Sequence, residues 1–274
     1  MQEGLGPRQK TGGPAPRQIG AWNGRGLATL LRRGYLRFMK LFWESLLGPC
    51  VSGLLFFTVF VLAGGREILG APHLGLAEFI APGIVIFMLG HMAFEGGAFP
   101  ILDDKLEGMM ADILAAPLSP FEIVAGYVLA GTLNALVVGA ALFGLMLFFV
   151  EPMMHSIGVA LGFAVLNAVL FALIGVLSGL WAEKWEHYSA AETFLILPLG
   201  FLSGAFFSLQ GLPEVFRNIV ILNPAFYAVD GFRYGLTGHS EGSLVFGFLY
   251  LTVLILGLAI LVWRLFSIGY KIKP

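Results

Sequence analysis

His91 and Glu95 stand four residues apart in the apolar stretch FIAPGIVIFMLGHMAFEGGAF, residues 79–99, so on a helix they share one face. Ionisable groups at such depth are costly and mark places where something polar is met. Transfer of a proton and contact with a polar group passing the helix both fit the pair. So does the plainer arrangement, in which the two bond each other or face a shared polar cavity. Two ligands are too few for a metal site. Asn134 and Asn167 read as hydrogen-bonding groups between helices.

Other constellations are weaker. Ser203-Gly204, with His187 or His239 elsewhere, lacks the surroundings of an intramembrane serine protease. Glu183, Glu186, His187 and Glu192 match no metal-ligand spacing and read as a solvated loop. No Gly is followed by Lys anywhere in the chain, so the phosphate-cradling loop of an ATPase is absent. Any ATP used must be bound and hydrolysed by another chain. Cys50 is the single cysteine; it forms no internal disulfide and reads as a small buried hydrophobe.

The elements that must position these groups are long apolar helices. Hydrophobic residues make up 58% of the 274-residue chain, charged residues 12%, and the mean hydropathy is +0.86. Soluble domains carry about 25% charged residues. About 20 apolar residues of helix cross a bilayer core, where the backbone must bond to itself. The predicted class is an all-α polytopic membrane protein, with spans near residues 45–63, 79–99, 121–149, 157–181, 193–209 and 243–266. Little chain remains for a soluble catalytic domain. Residues 1–24, rich in Gly, Pro, Gln and Arg, are expected to form a disordered cytoplasmic tail.

Lys and Arg set the orientation. Thirteen fall on the side of the two termini and the second and fourth loops, against three (Arg66, Arg217, Arg233) on the other. The excess predicts cytoplasmic termini and hence an even number of spans. Residues 25–43 predict an amphipathic interfacial helix. Leu27, Leu30, Leu31, Phe38, Leu41 and Phe42 recur at helical spacing, with Arg33, Arg37 and Lys40 turned toward lipid headgroups. Gly131/Ala135/Gly139, Gly158/Gly162 and Gly175/Gly179 are spaced for close helix packing.

Two connections stand out. Residues 103–120, DDKLEGMMADILAAPLSP, open with charge and continue with Leu106, Met109, Met110, Ile113 and Leu114 at helical spacing. Pro117 and Pro120 stop the run. A short helix shown to the cytoplasm is a natural docking element. Residues 209–242 hold an apolar piece too short to cross, then LNPAFYAVDGFRYGLTG. This aromatic segment predicts short helices that re-enter the outer leaflet, or an interfacial aromatic belt.

ILAAPLSPFEIVAGYV (113–128) and LNPAFYAVDGFRYGLTG (222–238), with FIAPG at 79–83 and SGAFFSL at 203–209, resemble the membrane subunit of ABC-2 type transporters. The YadH-like and nodulation-factor-exporter-like permeases are the most similar branch. The similarity runs from about Leu27 to the C-terminus. The resemblance implies a permease of the bacterial inner membrane, without an ATP site of its own. It implies two copies forming a homodimer with two copies of an ABC ATP-binding subunit, which hold ATP and Mg2+. It also implies export of an amphipathic or lipid-linked substrate. A coupling helix would cover about 103–114, and the N-terminal helix would share its docking surface. On that footing Asp103, Lys105, Glu107, Met110, Asp112, Ile113, Arg33 and Arg37 are the expected ATPase-docking residues. Met88, His91, Met92, Glu95, Phe206 and Phe207 are the expected substrate path. Without the resemblance, a secondary transporter or channel is the alternative. It calls for charged or broken helices at the midplane and often for internal repeats. Here intramembrane charge is sparse, and neither half clearly duplicates the other.

Overall fold

The computed structural model describes residues 23–63, 74–151 and 154–272. Among them no strand occurs, and five helices are long and apolar enough to cross a membrane. These are α2 (Phe42–Ala63), α3 (Leu76–Leu106), α5 (Pro120–Met146), α6 (Ile157–Trp181) and α11 (Leu244–Ile268). Between and before them lie α1 (Gly24–Lys40), α4 (Met110–Ala115), α7 (Trp185–Ala191), α8 (Leu197–Phe201), α9 (Glu214–Leu222) and α10 (Pro224–Thr237).

Helix α3 is the centre of the bundle. It is the most buried of the five long helices, and it packs against α5, α6, α10 and α2. Small residues set the closest approaches. A Cβ on Gly97 would lie 2.3 Å from the Ala172 carbonyl oxygen, and one on Gly175 2.2 Å from that of Phe94. Gly131 meets Gly96 in the same way, backbone to backbone, between α5 and α3. The Gly175/Gly179 spacing therefore marks a real helix contact. Gly158 and Gly162 have nothing within 4 Å, so that pair packs on no other part of the described chain.

The predicted fifth span is not one regular helix. Residues 185–201 run through α7, a π-helical turn at Glu192–Ile196, and α8. Pro198 lies in the first turn of α8, and Gly204 follows at φ +71°. The apolar count over 193–209 is high, but these residues bend the backbone before a full crossing is reached. The chain resumes as the pair α9 and α10. Asn223 joins them: its Oδ1 accepts from the Ala225 amide (3.0 Å), and its Nδ2 donates to the carbonyls of Leu199 (2.7 Å) and Leu202 (2.9 Å). The freed end of α8 is thereby satisfied.

Arg233 of α10, assigned by sequence to an outer loop, is fully buried. It donates to the carbonyls of Phe79 (3.1 Å) and Gly204 (2.7 Å) and lies 3.7 Å from the centre of the Phe79 ring. Its charge is spent inside the fold on backbone oxygens and an aromatic face. The third outer cation of the sequence count, Arg66, lies outside the described residues, as does the tail 1–22.

Candidate functional site: a charged junction and the cleft above it

Asp104 is the focus of the structure. It sits in the last turn of α3 and is 1% exposed. Arg33 grips it with two bonds, Nη1 to Oδ2 at 3.2 Å and Nη2 to Oδ1 at 2.7 Å. Arg37, one helical turn further along α1, donates to the same Oδ1 at 2.8 Å and reaches Asp103 at 3.2 Å. The Tyr127 hydroxyl of α5 donates to Oδ2 at 2.6 Å. A buried carboxylate needs such compensation, and here two other helices, α1 and α5, supply it.

The same end of the bundle is tied at further points. Asn23 caps α1 by accepting from the Gly26 amide (3.0 Å). Its own backbone N–H donates to Glu122, and its side chain donates to the Pro117 carbonyl (2.9 Å). Glu122 and Ser119 form a capping box at the start of α5. Lys105 donates to the carbonyls of Gly179 (3.2 Å) and Leu180 (2.8 Å), at the negative end of the α6 dipole. Lys271, beyond α11, reaches the Trp181 carbonyl (3.2 Å) and Glu183 (2.7 Å). Lys271 holds the Glu183 carboxyl below its ordinary range, through the hydrogen bond first and the charge second.

This arrangement revises three sequence expectations. The predicted coupling helix does not begin at Asp103. Residues 103–106 finish α3, Gly108 turns the chain at φ +76°, and the separate helix is α4, Met110–Ala115. Arg33 and Arg37 do not face headgroups, because two acidic residues inside the fold hold them. Of the expected docking residues, Asp103, Lys105, Arg33 and Arg37 have internal partners, and Met110 and Ile113 are buried beneath α4. Glu107 and Asp112 remain exposed, beside Leu106 and Leu114 at 46% and 39%.

The expected path residues do not gather in one place. Met92 and Glu95 line a cleft between α1, α3 and α5, with Leu30, Phe38, Phe99 and Asn134. Phe206 instead joins an aromatic cluster, stacked on Phe60 at 4.6 Å and against Phe87 and Phe201. Phe207 is half-buried, and Met88 is buried in the core. His91 is paired with Glu192 in the π-helical turn, Nε2 to Oε1 at 2.8 Å, rather than with Glu95. Glu192 is thus not the solvated loop residue its sequence neighbourhood predicts. Its separation of 101 positions from His91 left no local signal. Tyr127 and Asp104 were also missed as site residues. The i, i+4 arginines and the Asp103-Asp104 doublet were the available clue.

A profile of the ABC-2 type transporter family matches residues 26–237. The chain belongs to this family. Among its ABC-2 relatives, the inner membrane transport permease YadH of Escherichia coli K12 is 34% identical over 238 residues, covering 86% of this chain and 93% of that protein. Nodulation protein J of Rhizobium leguminosarum bv. trifolii is 26% identical over 215 residues, covering 76% and 80%. Nodulation protein J of Rhizobium meliloti is 24% identical over 218 residues. The matched ABC-2 region contains the whole charged junction, from Arg33 to Tyr127, and also α9 and α10.

Proposed function

We propose that this ABC-2 protein is the permease subunit of an ATP-driven exporter of the bacterial inner membrane. It would move an amphipathic or lipid-linked substrate. Two copies of the chain would pair with two copies of a separate ATP-binding subunit, which carries ATP and Mg2+. The family assignment supports this reading, and so does the absence of a phosphate-binding loop in the sequence. In it, six crossings are α2, α3, α5, α6, the broken run α7–α8 and α11, with both termini cytoplasmic. The broken run has 17 residues, about 25 Å at 1.5 Å per residue, short of the roughly 30 Å of a typical hydrocarbon core, so it would cross where the bilayer thins or with the help of its flanking residues. Helix α1 lies in the cytoplasmic interface, and α9 and α10 enter the outer leaflet and return.

One observation carries the mechanism. The Asp104 junction fastens α1, α3 and α5 at the end of the bundle from which α4 projects. When the ATPases close on ATP, a push on α4 cannot be absorbed locally. Met110 and Ile113 root α4 in the bundle, and the junction passes the displacement to α3 and α5. ATP shifts the equilibrium only by its preference for one state, here expressed through the partner. Glu107 and Asp112 are the free charges that would meet a basic groove.

The double variant Glu107→Arg/Asp112→Arg tests the docking claim. It should fold normally, since both side chains are exposed, and lose its ATPase on affinity purification. Undiminished co-purification would remove α4 from the interface.

A further inference from the structure

The cleft between α1, α3 and α5 has a polar end whose charges balance and a deeper carboxyl group, Glu95, that has no bonded partner among the described residues. At the cytoplasmic end, two guanidiniums, Arg33 and Arg37, are matched by Asp103 and Asp104. Nine residues deeper along α3, about 13 Å by helical rise, Glu95 lines the same cleft. The titratable groups beside it, His91 and Glu192, bond each other at 2.8 Å. Glu95 has no hydrogen-bond or ion-pair partner among the described residues, and neither the Asn134 amide nor the Ser45 hydroxyl beside the cleft has one. Polar groups at this depth need partners. The walls between are apolar: Leu30, Phe38, Met92, Phe99 and Val138. The cleft is open at its mouth and holds about 110 Å³.

We infer that this cleft binds an amphiphile bearing a protonated amine, with the ammonium on Glu95 and Asn134 and the hydrocarbon against Met92, Phe99 and Val138. The chemistry follows from the site. An uncompensated carboxylate selects a cation, the open amide and hydroxyl accept its N–H groups, and the walls exclude a ligand without an apolar body. An ammonium-headed lipid and a free alkylamine share this chemistry. The inference deepens the exporter reading by naming its substrate class. Binding is read on the permease alone, so failure of binding and failure to recruit an ATPase are separate results.

The test uses the full chain in phosphatidylglycerol nanodiscs and a dansyl-labelled dodecylammonium probe, with the equally labelled dodecanol as the neutral comparison. The wild type should bind the ammonium saturably and the alcohol at least about tenfold more weakly, the range expected for a hydrogen bond to a charged group. Glu95→Gln should bring the two probes together. Adding phosphatidylethanolamine separates the sources. Competition in the wild type but not in Glu95→Gln identifies a lipid headgroup as the occupant, and absence of competition identifies a free amphiphile. Equal binding of ammonium and alcohol by the wild type overturns the inference, and that comparison needs no variant to fold. Unchanged ammonium affinity in a folded Glu95→Gln protein overturns it as well.

Discussion

Replacing Asp104 with alanine removes the shared acceptor of Arg33, Arg37 and Tyr127 at once. Breaking a buried ion pair and leaving its partner costs about 3–5 kcal/mol. Here the stranded guanidiniums are 33% and 22% exposed, so water recovers part of that cost. The Tyr127 hydroxyl, left without its acceptor, adds about 1 kcal/mol. The net destabilisation works out at about 2–4 kcal/mol. Asp104→Asn keeps one acceptor oxygen and the side-chain shape, and should lose roughly half as much. The assay is reversible unfolding in mixed micelles, run as a double-mutant cycle with Arg33→Ala. Residues in one network should couple by about 0.5–3 kcal/mol. If Asp104→Ala stays within about 0.5 kcal/mol of wild type, the range of an ordinary surface substitution, or if the cycle shows additivity, the junction is not holding α1 to the bundle. The transmission argument then fails.

The glycines give a sharper contrast than their spacing. Gly97→Ala and Gly175→Ala each drive a methyl into a carbonyl of the facing helix at 2.3 and 2.2 Å, and should cost about 1–3 kcal/mol in the same unfolding assay. Gly158→Ala meets nothing within 4 Å and should be neutral or slightly stabilising, since alanine favours helix. At the C-terminal end, Lys271 depresses the Glu183 carboxyl. A depressed folded value means the tether is complete above the ordinary Glu range, about pH 4.3, and fades as pH falls through the lower folded value. Hydrogen-exchange protection of residues 269–272, corrected for intrinsic rates, should drop over that acidic window. In Glu183→Gln it should already be low at neutral pH. A pH-independent difference of zero between the two proteins would contradict the tether.

The long helices were legible because burial in a bilayer is written in composition alone. Residues 79–99 and 243–266 could not be mistaken for anything else, and α3 and α11 cover them. The short elements were less legible for identifiable reasons. A helical wheel shows that Arg33 and Arg37 share a face of α1, but it cannot say whether lipid phosphate or Asp104 lies opposite. The run 193–209 is apolar enough to cross, yet Pro198 and the Gly204 turn act on the backbone rather than on hydropathy. The segment expected to begin at Asp103 starts as a separate helix only at Met110, because Asp103 and Lys105 look solvated until their partners Arg37 and the α6 carbonyls are known. His91 stands out in the sequence as an ionisable group in an apolar run, whereas its partner Glu192 lies about a hundred residues away on a π-helical turn. Nothing in one sequence connects the two.

The central claim is that this ABC-2 permease works only with a separate ATPase, docked through the α4 end of the bundle. Purification of the tagged chain from its native membrane in mild detergent, with mass spectrometry of what accompanies it, tests that claim most directly. The account predicts a stoichiometric subunit bearing a phosphate-binding loop, retained by the wild type and lost from Glu107→Arg/Asp112→Arg. A chain that purifies alone across several detergents would contradict it, and would return the weight to a secondary transporter or channel.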